Sequence, residues 1–313
     1  MIIPACDQQG EMISLIKHLA PFEGHTNTLL DGVRLMRADR PLGKTPVLYE
    51  PSIVIVCQGS KRGFLGERVY HYDAQHYLVL SVPLPFSTET FASQEKPLLA
   101  ISIRLDMMDI ADLMLEVEHQ GGDLVGEPLG IISTPLDSTL ADTALRLLRA
   151  LTSPLEAKIL GQGIVRELFF RVLRGEQGPS IRAALACHGS FGQIACALKR
   201  IHSDYSLSLD VGLLAREARM GIPTFHAHFK AVTGTSPIQY VKSVRLHQAR
   251  LLMIRDNLTA AAAALRVGYE SPSQFNREFK RTFGRSPARE VREMKTAFAL
   301  SPAVKLESIA STH

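Results

Sequence analysis

One set of side chains has both the types and the spacing to do chemistry, and it occurs twice. Phe225, Phe229, Lys230, Gly234, Ser236 and Pro237 recur 50 residues later as Phe275, Phe279, Lys280, Gly284, Ser286 and Pro287, with no gap. Phe at i and i+4 makes an apolar stripe on one helix face. The opposite face then carries Pro223, Thr224, His226 and Ala227 in the first copy, and Ser273, Gln274, Asn276 and Arg277 in the second. Hydroxyl, amide, imidazole and guanidinium groups on an outward helix face suit hydrogen bonding to base edges in a DNA major groove. Lys230, Lys280 and Arg281 beside them suit phosphate oxygens.

Charge agrees with that chemistry. The net charge of the 313 residues is only +4, but Val211 to Lys295 holds 15 Lys/Arg against 6 Asp/Glu, which leaves −5 for the rest. A basic part joined to an acidic-leaning part points to a polyanion partner for the former.

Other chemistry is weakly represented. His71, Asp73 and His76 lie close in sequence, but two aligned ligands are too few for a metal site, and His226 and His228 at i and i+2 of a helix do not share a face. No Ser-His-Asp arrangement and no phosphate-cradling Gly loop stands out, so neither catalytic residue, metal nor cofactor is expected. Cys6, Cys57, Cys187 and Cys196 lack C-x-x-C spacing and read as reduced cytosolic thiols, with Cys6 in a tail as the candidate for oxidation. No apolar run of about 18 residues and no secretory leader is read, so a cytoplasmic chain without membrane contact is expected.

These residues need elements to hold them. Val47 to Leu105 reads as short strands at Pro51–Gln58, Glu67–Asp73, Tyr77–Val82, Ser87–Ala92 and Leu98–Leu105, with Gly63–Gly66 as a hairpin-sized break. Such spacing fits an antiparallel sandwich or barrel able to hold a small ligand. Helical spacing follows at Asp106–Glu118 (Asp106 as N-cap, Gly121-Gly122 as breaker), Leu136–Leu151 and Pro154–Leu173. Their apolar faces serve either intrachain packing or a homodimer. Gly175–Pro179 is a linker candidate. Beyond it, Val211–Ala218 and Thr259–Val267 are short helices ahead of each Phe pattern, Gly234 and Gly284 are C-caps, and Pro237–Arg255 is one connecting helix carrying Arg245, Arg250 and Arg255. Short helix, turn and outward-facing helix make a helix-turn-helix, here present twice. Ser301–His313 is a patternless tail.

The stretch Gly268–Pro287 (GYESPSQFNREFKRTFGRSP), with Phe225–Tyr240 and Arg245–Met253, resembles the AraC/XylS family of bacterial transcription regulators. Tyr49–Glu67, Tyr72–Phe86 and Ala92–Asp106 resemble the AraC-type N-terminal, cupin-like domain. The resemblance implies an α+β chain of two domains: an N-terminal cupin-like β-barrel with flanking helices, and a C-terminal all-α domain with two helix-turn-helix motifs. The expected divisions are an N-terminal segment 1–20, a sensor barrel 21–110, a helical, dimerising segment 111–178, a DNA-binding domain 190–297 and a tail 298–313.

It also implies a sequence-specific regulator binding double-stranded DNA, with a small-molecule effector in the barrel and RNA polymerase as partner if it activates. Two departures are visible: Gly221 where a Ser cap is usual, and Ala227 where a basic residue is common. The second copy keeps Arg277 and is expected to supply the better hydrogen-bonding surface. Tyr49, Ile53, Ile55 and Cys57 are the effector-pocket candidates, since alternate strand residues point inward. The alternatives are a regulator without ligand, switched by cysteine oxidation or by its own concentration, and a metal-dependent cupin enzyme.

Overall fold

The computed structural model describes residues 5–118, 128–187 and 189–299. The Gly121-Gly122 breaker and the tail from Ser301 lie outside them. The N-terminal half comprises α1 (Ala5–Leu19), β1 (Gly24–Asn27), β2 (Val33–Ala38), β3 (Leu42–Tyr49), β4 (Ser52–Gln58), β5 (Ser60–Leu65), β6 (Arg68–Asp73), β7 (His76–Leu80), β8 (Leu84–Phe91) and β9 (Leu98–Arg104). Next come α2 (Met107–Glu118), β10 (Ile131–Pro135), α3 (Ser138–Ala150), α4 (Pro154–Arg174) and α5 (Gly178–Ala186). The C-terminal half is helical: α6 (Gly189–Asp204), α7 (Val211–Glu217), α8 (Ile222–Thr233), α9 (Pro237–Arg255), α10 (Ala260–Arg266), α11 (Pro272–Phe283) and α12 (Pro287–Ala299).

Two antiparallel sheets face each other, one ordered β1-β2-β9-β4-β7-β10 and one β3-β8-β5-β6. The first is covered on both faces. Val54, Val56, Leu78, Leu80, Leu98 and Ala100 face the second sheet, whose Leu65, Tyr72, Leu84 and Phe86 meet them. Ile53, Ile55, Cys57, Val79, Leu99 and Ile101 face a layer built by α1 to α5. Double burial explains why Ser-Ile-Val-Ile-Val-Cys is a continuous apolar run, whereas β5 and β8 alternate with one face outward.

That alternation corrects the pocket assignment. Ile53, Ile55 and Cys57 lie under the helices, and of the four candidates only Tyr49 packs against the inner side. A one-residue change of phase moves a whole strand face from one core to the other. The hairpin also turns at Gly66-Glu67, not at Gly63–Gly66, because Gly63, Phe64 and Leu65 pair within the β5–β6 ladder.

The expected helices stand. Asp106 Oδ1 accepts from the N–H groups of Met108 and Asp109, and Asp137 and Ser153 cap α3 and α4 in the same way. A strand, β10, nevertheless lies within the stretch expected to be helical and pairs with β7. The expected linker is a packed corner. Gln177 is fully buried and hydrogen-bonded to Thr134, and a Cβ at Gly178 would meet the Leu173 carbonyl oxygen at 2.0 Å.

The cysteine assignment is corrected as well. Cys187 and Cys196 form a disulfide between the end of α5 and the middle of α6, with Cα atoms 5.9 Å apart. Cys57 is a free thiol whose pKa burial pushes up to about 12. Cys6 sits in α1, not in a tail. Among the described residues, no helix is long and apolar enough to cross a membrane, and no three His, Cys, Asp or Glu side chains are grouped to hold a metal. His76 Nδ1 instead pairs with Asp73 Oδ1 at 2.8 Å across the β6–β7 turn.

Candidate nucleic-acid interface

Each copy of the doubled pattern folds as two short helices joined by a tight turn. In the first, Asp210 caps α7, and Arg219 takes a left-handed conformation before α8. In the second, Thr259 caps α10 and Gly268 takes the left-handed turn position before α11. Met220 N–H closes the first turn on the Ala215 carbonyl, and Tyr269 N–H closes the second on that of Ala264, both at 2.9 Å. Gly234 and Gly284 end α8 and α11 with φ of 70° and 76°, the left-handed cap that glycine adopts without strain.

The repeat is not uniform. α10 begins at 260 against 211 for α7, an offset of 49, while α11 begins at 272 against 222 for α8, an offset of 50. The gapless 50-residue period therefore holds only from the reading helix onward, and the second turn is one residue longer. The extra residue leaves Glu270 exposed and Tyr269 buried with its hydroxyl donating to Glu278 Oε2 at 2.7 Å.

Phe225 and Phe229 are buried, and so are Phe275, Phe279 and Phe283. Pro223, Thr224, Ala227 and Lys230 are exposed on α8, with His226 half-buried. Ser273, Gln274, Asn276, Arg277, Lys280 and Arg281 are exposed on α11. Each copy thus presents its candidate residues on one outward face. The copies differ at the N-cap, where Ser271 Oγ accepts from Gln274 N–H at 3.3 Å but Gly221 offers no side chain. Ser236 occupies the N-cap of α9 without a side-chain capping bond.

The electrostatics also differ. Among the described residues, Lys230, Arg277, Lys280 and Arg281 enter no ion pair, so three unpaired cations stand on α11 and one on α8. Glu278, at the base of the second copy, is held by Lys242 Nζ at 2.8 Å, by Tyr269 and by Gln274 Nε2 at 3.3 Å. Burial alone would raise the Glu278 pKa, but these hydrogen bonds outweigh it and hold the carboxyl below its usual value. Glu278 thereby steers Gln274. That role was partly legible as an i, i+4 pair, whereas the Lys242 contact, made from another helix, carried no sequence signal.

Not every basic residue belongs to this surface. Arg245 donates to the carbonyls of Tyr205, Gly268 and Leu207 at 2.6, 3.0 and 2.7 Å, clamping a loop to the second turn. Arg250 is half-buried over the Phe283 ring and beside the Glu290 carboxylate. Both are structural, while Arg255 is exposed. α9 has 19 residues and so spans about 28 Å between the copies.

Comparison with known proteins follows the same division. Residues 29–180 match the AraC-type transcriptional regulator N-terminus, and residues 214–293 match a helix-turn-helix domain. A putative AraC-like transcription regulator of Streptomyces lividans is 29% identical over 164 residues, 50% of this chain and 54% of that protein. The virulence regulon transcriptional activator VirF of Yersinia enterocolitica is 26% identical over 176 residues, 54% of this chain and 65% of that protein. This chain thus spans between half and two thirds of those relatives. The crystal structure of ToxT from Vibrio cholerae bound to an unsaturated fatty acid superposes with a TM-score of 0.58 at 15% identity, covering 86% of this chain and 97% of that one. At that identity the likeness is one of fold.

Proposed function

Because the chain belongs to the AraC-type transcription regulators, we propose that it binds specific DNA sites through α8 and α11 and regulates transcription in the cytoplasm. The observation that carries this reading is the pair of outward faces, Pro223, Thr224, His226 and Ala227 on one helix and Ser273, Gln274, Asn276 and Arg277 on the other, held apart by α9. Two reading helices on one connector fit successive major grooves, about 34 Å apart along one DNA face.

Within this reading Arg277 is the strongest base contact, since a guanidinium can grip the O6 and N7 of guanine together. Thr224 and His226 supply the first copy's polar contacts, and Ala227 suits a thymine methyl. Lys230, Lys280 and Arg281 serve phosphate. Footprinting of the bound protein on genomic DNA, followed by binding to the recovered site, is the test. Arg277→Ala is expected to cost about 1–3 kcal/mol and to relax selectivity at one base. Lys230→Ala or Lys280→Ala should weaken all sequences alike and lower the salt slope by about 1. Selectivity that survives Arg277→Ala but is lost in Thr224→Ala would reverse the assignment of the two helices.

A small-molecule effector in the N-terminal barrel completes the reading, and ToxT, of the same fold, has been crystallised with a fatty acid. RNA polymerase is the further partner if the protein activates. A homodimer is favoured by Met108 on α2 with Leu155, Ile159 and Leu160 on α4, all exposed although the other face of α4 is buried in the chain. Sedimentation as a monomer at micromolar concentration would remove that element. Switching by cysteine oxidation is the second reading, favoured by the Cys187–Cys196 disulfide at the α5–α6 corner. It requires Cys187→Ser to abolish any oxidant response in a reporter assay.

A further inference from the structure

The second reading helix carries a carboxylate that faces inward and is hydrogen-bonded on both oxygens. The Glu278 side chain on α11 is only 12% exposed. Its Oε1 accepts from Lys242 Nζ of α9 at 2.8 Å, and its Oε2 accepts from the Tyr269 hydroxyl at 2.7 Å. Oε1 also accepts from Gln274 Nε2 at 3.3 Å, one turn back on the same helix. Burial would raise the Glu278 pKa, but these bonds outweigh it, so the carboxyl is ionised at neutral pH and can only accept. With Lys242 and Tyr269 on the two oxygens, the neighbouring Arg277 and Arg281 stay unpaired among the described residues.

A neighbour that can only accept fixes which way an amide lies. An unconstrained glutamine exchanges its oxygen and nitrogen by turning about its last torsion, and so meets donors and acceptors alike. At Gln274 the NH2 group must face Glu278, since an amide oxygen placed there would meet negative charge. The carbonyl Oε1 is left on the side away from Glu278, with the second amide hydrogen, on an exposed side chain in the first turn of α11. The backbone is held too, because Gln274 N–H donates to Ser271 Oγ at 3.3 Å. The first copy has other groups at these places: Thr224 and His228 stand where Gln274 and Glu278 do, and Met220 closes its turn where Tyr269 closes the second.

We infer that Glu278 is a positioning residue that presents the Gln274 carbonyl to the major groove and so makes α11 select adenine at one base pair. The outward oxygen needs a donor on the base edge. The exocyclic amines of adenine and cytosine supply one, whereas guanine O6 and thymine O4 are acceptors. The second amide hydrogen then finds an acceptor in adenine N7, which cytosine lacks. The inference rests on the reading of α11 as a base-contacting helix and deepens it: Arg277 takes guanine, and Gln274, one turn earlier, takes adenine.

The test selects double-stranded oligonucleotides from a randomised pool with the full-length protein, then measures binding to the enriched site with each of the four bases at every position. The position read by Gln274 is the one whose preference Gln274→Ala abolishes, and Arg277→Ala marks its own position in the same way. Adenine is expected to be favoured at the Gln274 position by about tenfold over guanine and thymine. Glu278→Gln, which keeps the shape but can also donate, should lose most of that margin and leave the preference at the Arg277 position unchanged. Tyr269→Phe, which frees one carboxylate oxygen, should lose part of it. Circular dichroism establishes that each variant is folded, and should Glu278→Gln fail to fold, Tyr269→Phe decides. Preference for any base but adenine at the Gln274 position, an unchanged margin in the deciding variant, or equal loss at the Gln274 and Arg277 positions overturns the inference. An enriched site in which no position responds to Gln274→Ala sinks this inference alone, whereas a pool that yields no enriched site sinks the sequence-specific reading on which it rests.

Discussion

The two helix-turn-helix copies share a sequence pattern but not an environment. In the first, Leu214, Ala215, Ala218, Phe225, Phe229, Tyr240 and Val244 belong to the same core as the barrel residues Leu78, Leu80, Leu84 and Phe86. In the second, Ala263, Ala264, Val267, Tyr269, Phe275, Phe279 and Phe283 pack with Leu246, Ala249 and Met253 of α9 in a core that holds no buried apolar residue of the barrel. The first copy thus shares the barrel's core, while the second has its own core on α9 and meets the barrel at β3. The polar surfaces differ in the opposite sense, with three unpaired cations on α11 and one on α8. The copy with more unpaired cations is thus the one that shares less of its core with the barrel, and a change in the barrel would reach the first copy more directly than the second.

The largest break in this comparison comes from the aromatic cores. Phe229→Ala and Phe279→Ala remove equivalent, fully buried rings, at a cost of about 3–5 kcal/mol each. Hydrogen exchange should place the losses differently. Phe229→Ala is expected to raise exchange in α8 and in the barrel strands β7 and β8 together, whereas Phe279→Ala should confine the effect to α10–α12. Loss confined to α7 and α8 in Phe229→Ala would show that the shared core is not cooperative.

The closing glycines offer the next test. Gly234 and Gly284 have equal left-handed geometry, so Ala at either costs about 1–2 kcal/mol in backbone conformation. Beyond that they part. A Cβ at Gly284 meets nothing within 4 Å, while one at Gly234 meets the backbone nitrogen of Gly66 at 2.9 Å. Gly234→Ala should therefore cost about 1–3 kcal/mol more and loosen the seat of α8 on the β5–β6 hairpin. Equal melting temperatures for the two variants would contradict that seat.

Much of this was legible in the sequence, and the failures have physical causes. Local rules held wherever a residue's role is set within a turn or two. Asp106, Gly234 and Gly284 begin or end helices where expected, and both Phe stripes are buried. The assignments that failed depend on what lies across a layer. The phase of β4 could not be read because both of its faces are apolar, so Ile53, Ile55 and Cys57 looked as suitable for a pocket as Val54 and Val56. The edge strand β3, with exposed Leu42–Thr45 and Pro46, carried no clear strand signal. The disulfide joins cysteines nine apart in sequence, which only the α5–α6 corner brings within 5.9 Å.

A smaller effect tests the hydrogen bond that joins α9 to the barrel. The Tyr240 hydroxyl has one proton and gives it to the Pro83 carbonyl, so it accepts from His202 Nε2 at 2.8 Å, which fixes that imidazole as the Nε2–H form. Burial lowers the His202 pKa to about 4, so the ring is neutral at pH 7. Tyr240→Phe should cost about 1 kcal/mol and leave the ring packing on Phe229 intact. Its distinctive consequence is in the comparison: affinity for a half-site read by α8 should change, and affinity for one read by α11 should not.

The smallest expected effect asks whether the first copy is weakened by its cap. Gly221 has extended backbone, with φ −65° and ψ 150°, and a Cβ there would meet nothing within 4 Å. Serine can therefore enter without strain and offer its hydroxyl to the first turn of α8, as Ser271 does for α11. Since glycine is already a tolerable cap, the gain is only a few tenths of a kcal/mol. In Ser271→Gly the same amount should be lost. Thermal unfolding is too coarse for this difference, but amide exchange at Thr224 and Phe225, relative to Gln274 and Phe275, resolves it. If Gly221→Ser slowed exchange in α8 and yet weakened discrimination between operators, the loose start of the first reader would be part of how it accommodates the sensor rather than a defect of the copy.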